Sequence, residues 1–250
     1  MKTQRLYNEL YEAICDLDEP RARELMAQGA DINAQGMGYN LLYAIADEGS
    51  DDAVRLCLKL GADPRAEDED GYTMVYYLIL GCRVALLSEL IDRGILTADE
   101  PNSRGTTPLM WCCGATFCEE MTQALLARGA DVHRTDKDGM NAFGYALNPY
   151  ECPCEHFPLL LAAGADINSR DEKGRTAVMV YALGENEDPH YIRFFLEHGA
   201  DVNLRDPEGK TALGYALDNL ARARSGEDTR MSEAGILKMI DLLKSYDAEL

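Results

Sequence analysis

No run of apolar residues in this sequence approaches the roughly eighteen that a membrane-crossing helix needs. Residues 1–18 carry Asn8, Glu9, Glu12 and Asp16 where a signal peptide requires an unbroken apolar stretch, so a cytoplasmic location is expected. Basic residues are scarce as well. Against 44 Asp and Glu stand 24 Lys and Arg, a formal charge of −20 with an isoelectric point near 4.5, and such a field opposes a counterion-release grip on phosphate backbones. Nucleic acid and membranes are poor partners on these grounds. The eight cysteines, at 15, 57, 82, 112, 113, 118, 152 and 154, lack the density and regular spacing of a disulfide scaffold, so reduced thiols are expected. Catalytic signatures are missing too: no phosphate loop, no GxSxG elbow and no HExxH helix. His133, His156, His190 and His198 read as framework or surface residues, and the chain as a non-enzyme without a cofactor.

What the sequence does contain is enough apolar residue, 46% of 250 positions, to bury a core, and that residue recurs with a period. Gly-Ala-Asp stands at Gly29, Gly61, Gly129, Gly164 and Gly199, and Gly94 fills the gap. Each glycine ends an apolar run and supplies the left-handed exit that a helix terminus favours. Ten residues on from most of them comes a second glycine inside an acidic turn, in "DEDGYT", "DKDGMN", "DEKGRT" and "DPEGKT". A new helix is then predicted over 40–46, 73–79, 107–113, 141–147, 176–182 and 211–217, each opening with an Asn or Thr that can cap it.

These turn, helix and Gly-Ala-Asp segments resemble the ankyrin repeat family. The resemblance implies an all-α solenoid of helix-turn-helix units with hairpin-like loops, forming one domain. Residues 1–34 would be an amino-terminal cap, 35–67, 68–101, 102–136, 137–171 and 172–206 five repeats, and 207–250 a carboxyl-terminal cap with an insertion near 222–230. One departure stands out. The histidine of the family's Thr-Pro-Leu-His is replaced by Tyr43, Tyr76, Met110, Gly144, Met179 and Gly214, so the usual Thr-His hydrogen-bond network is missing.

The resemblance places partner contacts on the hairpin tips and the first helix of each repeat. Aromatics recur there, and Tyr and Trp dominate interface hot spots because they bury large areas at low entropic cost. Tyr39, Tyr72 and Trp111 are the main candidates; Tyr77, Tyr145 and Tyr215 read equally well as filling between helices. Acids cluster beside them: Glu67, Asp68, Glu69 and Asp70 on one tip, with Asp47 and Glu48 expected nearby. Residues 1–100 hold 20 acids against 9 bases. A solvated face is the default for a charge run, but beside tyrosines it reads as a complement for a basic protein.

The expected function is therefore protein binding by a chain that is monomeric when unbound: an acidic inhibitor or immunity-type protein that neutralises a basic partner through its concave face. An adaptor or secreted effector that tethers its target is one alternative. A zinc- or thiol-dependent sensor is another, with Cys118, Cys152, Cys154 and His156 as a Cys3His set. Against zinc, Cys112 and Cys113 occupy the family's small, buried positions and CxC is not the usual knuckle, so no metal is assigned.

Overall fold

Polar caps and glycine stops in the sequence become helix ends in the structure. A computed structural model describes the backbone of residues 2–36, 39–114, 119–147, 156–183, 190–226 and 231–250, and the side chains of all of these except 2, 3, 35, 36 and 39. Two compact units share the chain: Met1–Cys112 with Phe117–Ala130, and Cys113–Thr116 with Asp131–Leu250. The first holds α1 (Lys2–Cys15), α2 (Glu19–Ala27), a two-residue antiparallel ladder of β1 (Gln35–Gly36) and β2 (Tyr39–Asn40), α3 (Leu41–Glu48), α4 (Asp51–Lys59), α5 (Met74–Leu80), α6 (Val84–Asp92), α7 (Pro108–Gly114) as far as Cys112, and α8 (Glu119–Ala127). The second holds α9 (Ala142–Tyr145), α10 (His156–Ala162), α11 (Ala177–Ala182), α12 (His190–Glu197), α13 (Ala212–Arg224) and α14 (Glu233–Lys244).

The side chains of Asn40, Asn141 and Thr211 accept backbone N–H groups at the starts of α3, α9 and α13, satisfying donors that a helix terminus would leave unpaired. At the other end, Gly61 follows α4 with φ +99°, a conformation that costs other residues strain. Each hairpin then covers the apolar face of its neighbour. In the first unit α3 packs on α1, α4 and α5, and α6 on α5 and α8, burying Leu10, Ile14, Leu25, Leu41, Leu42, Ile45, Met74 and Leu78. In the second, α11 packs on α12 and α13, and α13 on α14, beside an aromatic centre of Phe143, Phe157 and Phe195. Helix α13 extends through Arg224, into the segment read as an insertion, of which 227–230 lie outside the described residues.

The cysteines divide. Cys15, Cys57, Cys112 and Cys113 are free thiols, and burial raises Cys57 to about 12. Cys82 is disulfide-bonded, contrary to the expectation of reduced thiols throughout. It follows α5 in an exposed left-handed position, φ 49°, open to another sulfur, whereas Cys57, Cys112 and Cys113 are enclosed by the core.

Each polar turn is organised by one side chain. At Asp68, Asp136, Asp171 and Asp206 the carboxylate Oδ1 accepts the backbone N–H groups two and four residues on, at 2.8–3.0 Å, and Asn102 does the same with its amide oxygen. The second carboxylate oxygen is then free to reach the following helix. It accepts the hydroxyl of a tyrosine nine residues on: Tyr77 at 2.6 Å, Tyr145 at 2.7 Å and Tyr215 at 2.5 Å. In the Asp171 turn that position is Val180, and Arg175 Nε donates instead at 2.8 Å. A tyrosine strut thus links turn to helix in a chain whose sequence lacks the Thr-His network.

Tyr43 makes the converse case. Its ring is fully buried and stacked on Tyr77 with centroids 5.2 Å apart, while its hydroxyl has no hydrogen-bond partner among the described residues. Removing a bonded hydroxyl strands a polar partner, whereas removing an unbonded one relieves a desolvation cost. Urea unfolding should show Tyr77→Phe less stable by about 1–2 kcal/mol and Tyr43→Phe unchanged or more stable; equal losses would contradict the strut.

Burial pushes the Asp206 carboxyl up, but the Tyr215 hydroxyl and the Lys210 and Glu208 backbone N–H groups outweigh it and hold the group below its ordinary value. A carboxyl lowered in the folded state stabilises the fold above its unfolded titration, near about 3.9, and loses that effect as pH falls through the folded value. The stability gap between wild type and Tyr215→Phe should therefore be full at neutral pH and narrow below about pH 4, as read by urea unfolding at several pH values.

Candidate functional site: an aromatic and acidic surface on the first unit

Tyr72 ends the Asp68 turn, Tyr76 lies one helical turn later on α5, and Trp111 sits on α7 of the next hairpin. Tyr72 lies just before the Thr73 cap and Tyr76 in the first turn of α5, so the chain's entry into the helix brings their rings together, and the next hairpin brings the third ring alongside. Tyr72 and Tyr76 stack with centroids 4.0 Å apart and planes 14° from parallel. Trp111 meets them at 5.2 Å and 4.9 Å, inclined by 59° and 63°. All three rings are half-buried, so each packs on the others and keeps an edge or face at the surface. Burial, then the neighbouring Tyr72 hydroxyl, raises the Tyr76 hydroxyl, which keeps it neutral and a hydrogen-bond donor.

The expected acids separate by what holds them. Asp68 is spent on its turn and on Tyr77, and Glu67 accepts the Ser103 backbone N–H of the next turn. Glu69 and Asp70, by contrast, are exposed at the tip and have no ion-pair or side-chain hydrogen-bond partner among the described residues. Asp47 and Glu48, at the end of α3, are likewise exposed and make no side-chain ion pair among the described residues. Their segment is fixed by Arg83, which donates to the Asp47 carbonyl at 3.1 Å and to the Gly49 carbonyl. Glu48 faces α1: burial, a bond to Cys15 and the charges of Cys15 and Glu48 push Tyr11 up to about 12.

This leftover negative charge follows from how the cations are used. Arg5, Arg21, Arg23, Arg55, Lys59, Arg65, Arg83 and Arg93 all lie in ion pairs with carboxylates of the first unit. With 20 acids to 9 bases in residues 1–100, pairing the bases leaves carboxylates over, and Asp47, Glu48, Glu69 and Asp70 are among them. Exposed pairs of this kind contribute little to stability, but they decide which charges are left over at the surface.

The other predicted positions fall elsewhere. Tyr77 is buried with its hydroxyl on Asp68, and Tyr145, in the second unit, gives its hydroxyl to Asp136. Tyr39 belongs to β2, and its side chain lies outside the described residues. Of the alternative zinc set only His156 is described, buried at the start of α10; Cys118, Cys152 and Cys154 lie outside. Sequence reasoning missed Tyr76, which it placed in the row of the absent histidine. Its spacing of four from Tyr72 was the signal.

Residues 41–136 and 143–225 match the family model for ankyrin repeats (3 copies). The structure is similar to the crystal structure of the human ASB11 ankyrin repeat domain, with a TM-score of 0.67 over 92% of this chain and 96% of that one at 18% sequence identity. At that identity the likeness concerns the fold alone. No curated protein matches the chain.

Trp111 is the only tryptophan, so its emission reads the trio directly. Replacing Tyr76 by Leu should shift that emission to the red, as the indole gains water, and lower stability by about 1–2 kcal/mol in urea unfolding. Unchanged emission would show that the rings do not shield one another.

Proposed function

Because the chain belongs to the ankyrin-repeat family, whose fold is generally a non-enzymatic scaffold for binding proteins, we propose that its first unit docks a partner protein with a basic surface. The docking surface is the Tyr72, Tyr76 and Trp111 trio with the carboxylates of Glu69 and Asp70, extended by Asp47 and Glu48. Tyr39, in the preceding turn, and Glu67, beside Asp68, belong to the proposed rim. The observation that carries this reading is the split among the acids: Asp68, which builds the turn, is bonded within the chain, and Glu69 and Asp70, on the same turn as Tyr72, are exposed and unpaired among the described residues. Aromatic rings supply buried area and a polar edge, while unpaired carboxylates steer a cationic partner and reject an anionic one.

The specific form we propose is an inhibitor or immunity-type protein. An acidic surface that seats on the basic working surface of a toxin or enzyme removes that surface from its own substrate, and needs no chemistry of its own. The partner's activity should then fall to completion at one-to-one addition; an undiminished activity in the saturated complex would leave a tethering adaptor instead.

Charge reversal separates docking from folding. The double change Glu69→Lys, Asp70→Lys should weaken binding by roughly tenfold or more and flatten its salt dependence while leaving the thermal midpoint unchanged. Asp68→Asn should do the opposite in emphasis, lowering stability through its turn. Calorimetric titration beside thermal unfolding checks both, and full affinity after the double reversal would remove the tip from the interface.

A further inference from the structure

The row of residues that closes each acidic turn differs between the two units in a way that bears on what the aromatic surface takes. In the second unit two of the three positions in that row, Arg175 and Lys210, supply the chain's own cations, and the third is Met140. Arg175 pairs with Asp171 at 2.6 Å, and Lys210 stands over the Tyr215 ring, 4.4 Å from its centroid, while bonding Asp218. A tyrosine, nearby carboxylates and a cation are thus completed within one chain. In the first unit the same row holds Tyr72 and Thr106, and no cation contacts the trio among the described residues. Arg104 is the nearby guanidinium of the same chain. A β-carbon placed at Gly71 would lie 3.9 Å from its Nε and 3.7 Å from Glu67 Oε2, so Arg104 sits by the Glu67 side of the turn. Glu69 and Asp70 have no ion pair among the described residues.

We propose that the trio takes an arginine side chain of the partner, its guanidinium laid on the exposed aromatic surface and its N–H groups directed to Glu69 or Asp70. This rests on the reading of the first unit as a docking surface for a basic protein, and it names the residue recognised there. Ring geometry selects arginine over lysine. Tyr72 and Tyr76 are in stacking contact at 4.0 Å, and Trp111 closes on both at about 5 Å, so no gap between rings is wide enough to enclose an ammonium group. What remains is an outer surface, which suits a flat ligand. Guanidinium is planar, stacks on aromatic faces, is weakly hydrated and presents a fork of donors that matches a carboxylate. An ammonium is compact, strongly hydrated and gains little from lying against a closed platform.

The test uses the full chain and two probe peptides of equal length and charge, one with arginine and one with lysine as its only cation, titrated at low and moderate salt while Trp111 emission is followed. The arginine peptide should bind about tenfold more tightly than the lysine peptide and change the Trp111 emission. Tyr72→Ala should abolish that preference, Tyr72→Phe should restore it because the ring is kept, and Glu69→Gln with Asp70→Asn should weaken the arginine peptide without altering the fold. Equal, salt-sensitive binding of both peptides with unchanged Trp111 emission would overturn arginine stacking and leave acidic docking standing. Failure of both peptides to bind would overturn the stacking together with the acidic docking on which it rests, so the two failures are read apart.

Discussion

A single carboxylate at the head of four turns, with the Asn102 amide in its place at another, sets the terms for the rest of the molecule. Bonded through Oδ1 to two backbone N–H groups, it closes the turn; at Asp68, Asp136 and Asp206 the second oxygen accepts a tyrosine hydroxyl and fixes the turn to the helix that follows, while at Asp171 it holds Arg175 of the turn itself. Each bond is worth little by itself in water, but a charged acceptor in a half-buried site is costly to strand. The arrangement ties short helices to their turns within each unit, which matters because helices of seven or eight residues are not stable alone.

Part of the acidity is consumed by this role, and the remainder acquires meaning from it. An acid that builds a turn has both oxygens occupied within the chain; Glu69 and Asp70 on the same tip have neither occupied among the described residues. Asp68 and Asp70 differ by two positions, yet one holds Tyr77 and the backbone while the other meets solvent. Most described cations of the first unit are drawn into ion pairs, and Glu69 and Asp70 have none among the described residues. In the second unit the turns carry Arg170, Arg175, Arg205 and Lys210, whose donors go to carbonyls and carboxylates of the same unit. The two units share a turn and diverge in what is left exposed.

The architecture was legible because its signals are local. Helix-ending glycines, Asn and Thr caps and the acidic turns each act within a few residues, and the structure places them at helix ends. The candidate surface was legible only in part. Tyr72 and Trp111 were singled out, but Tyr76 was assigned to the histidine row, since its contact with Trp111 crosses from one hairpin to the next and no single-repeat pattern displays it. Tyr77 and Tyr72 look equivalent as letters in a sequence; only the angle at which the helix leaves the turn buries one and leaves the other at the surface. The strut was unforeseen for the same reason, because a spacing of nine joins a turn to a helix rather than two residues of one helix. The disulfide at Cys82 likewise depends on proximity in space.

Amide hydrogen exchange of the chain with and without a bound basic partner tests the central claim most directly. Protection gained over residues 69–76 and 107–111, with the second unit unchanged, is the expected result. Protection gained only in the second unit, with the tip at Glu69 and Asp70 exchanging as in the free chain, would contradict it.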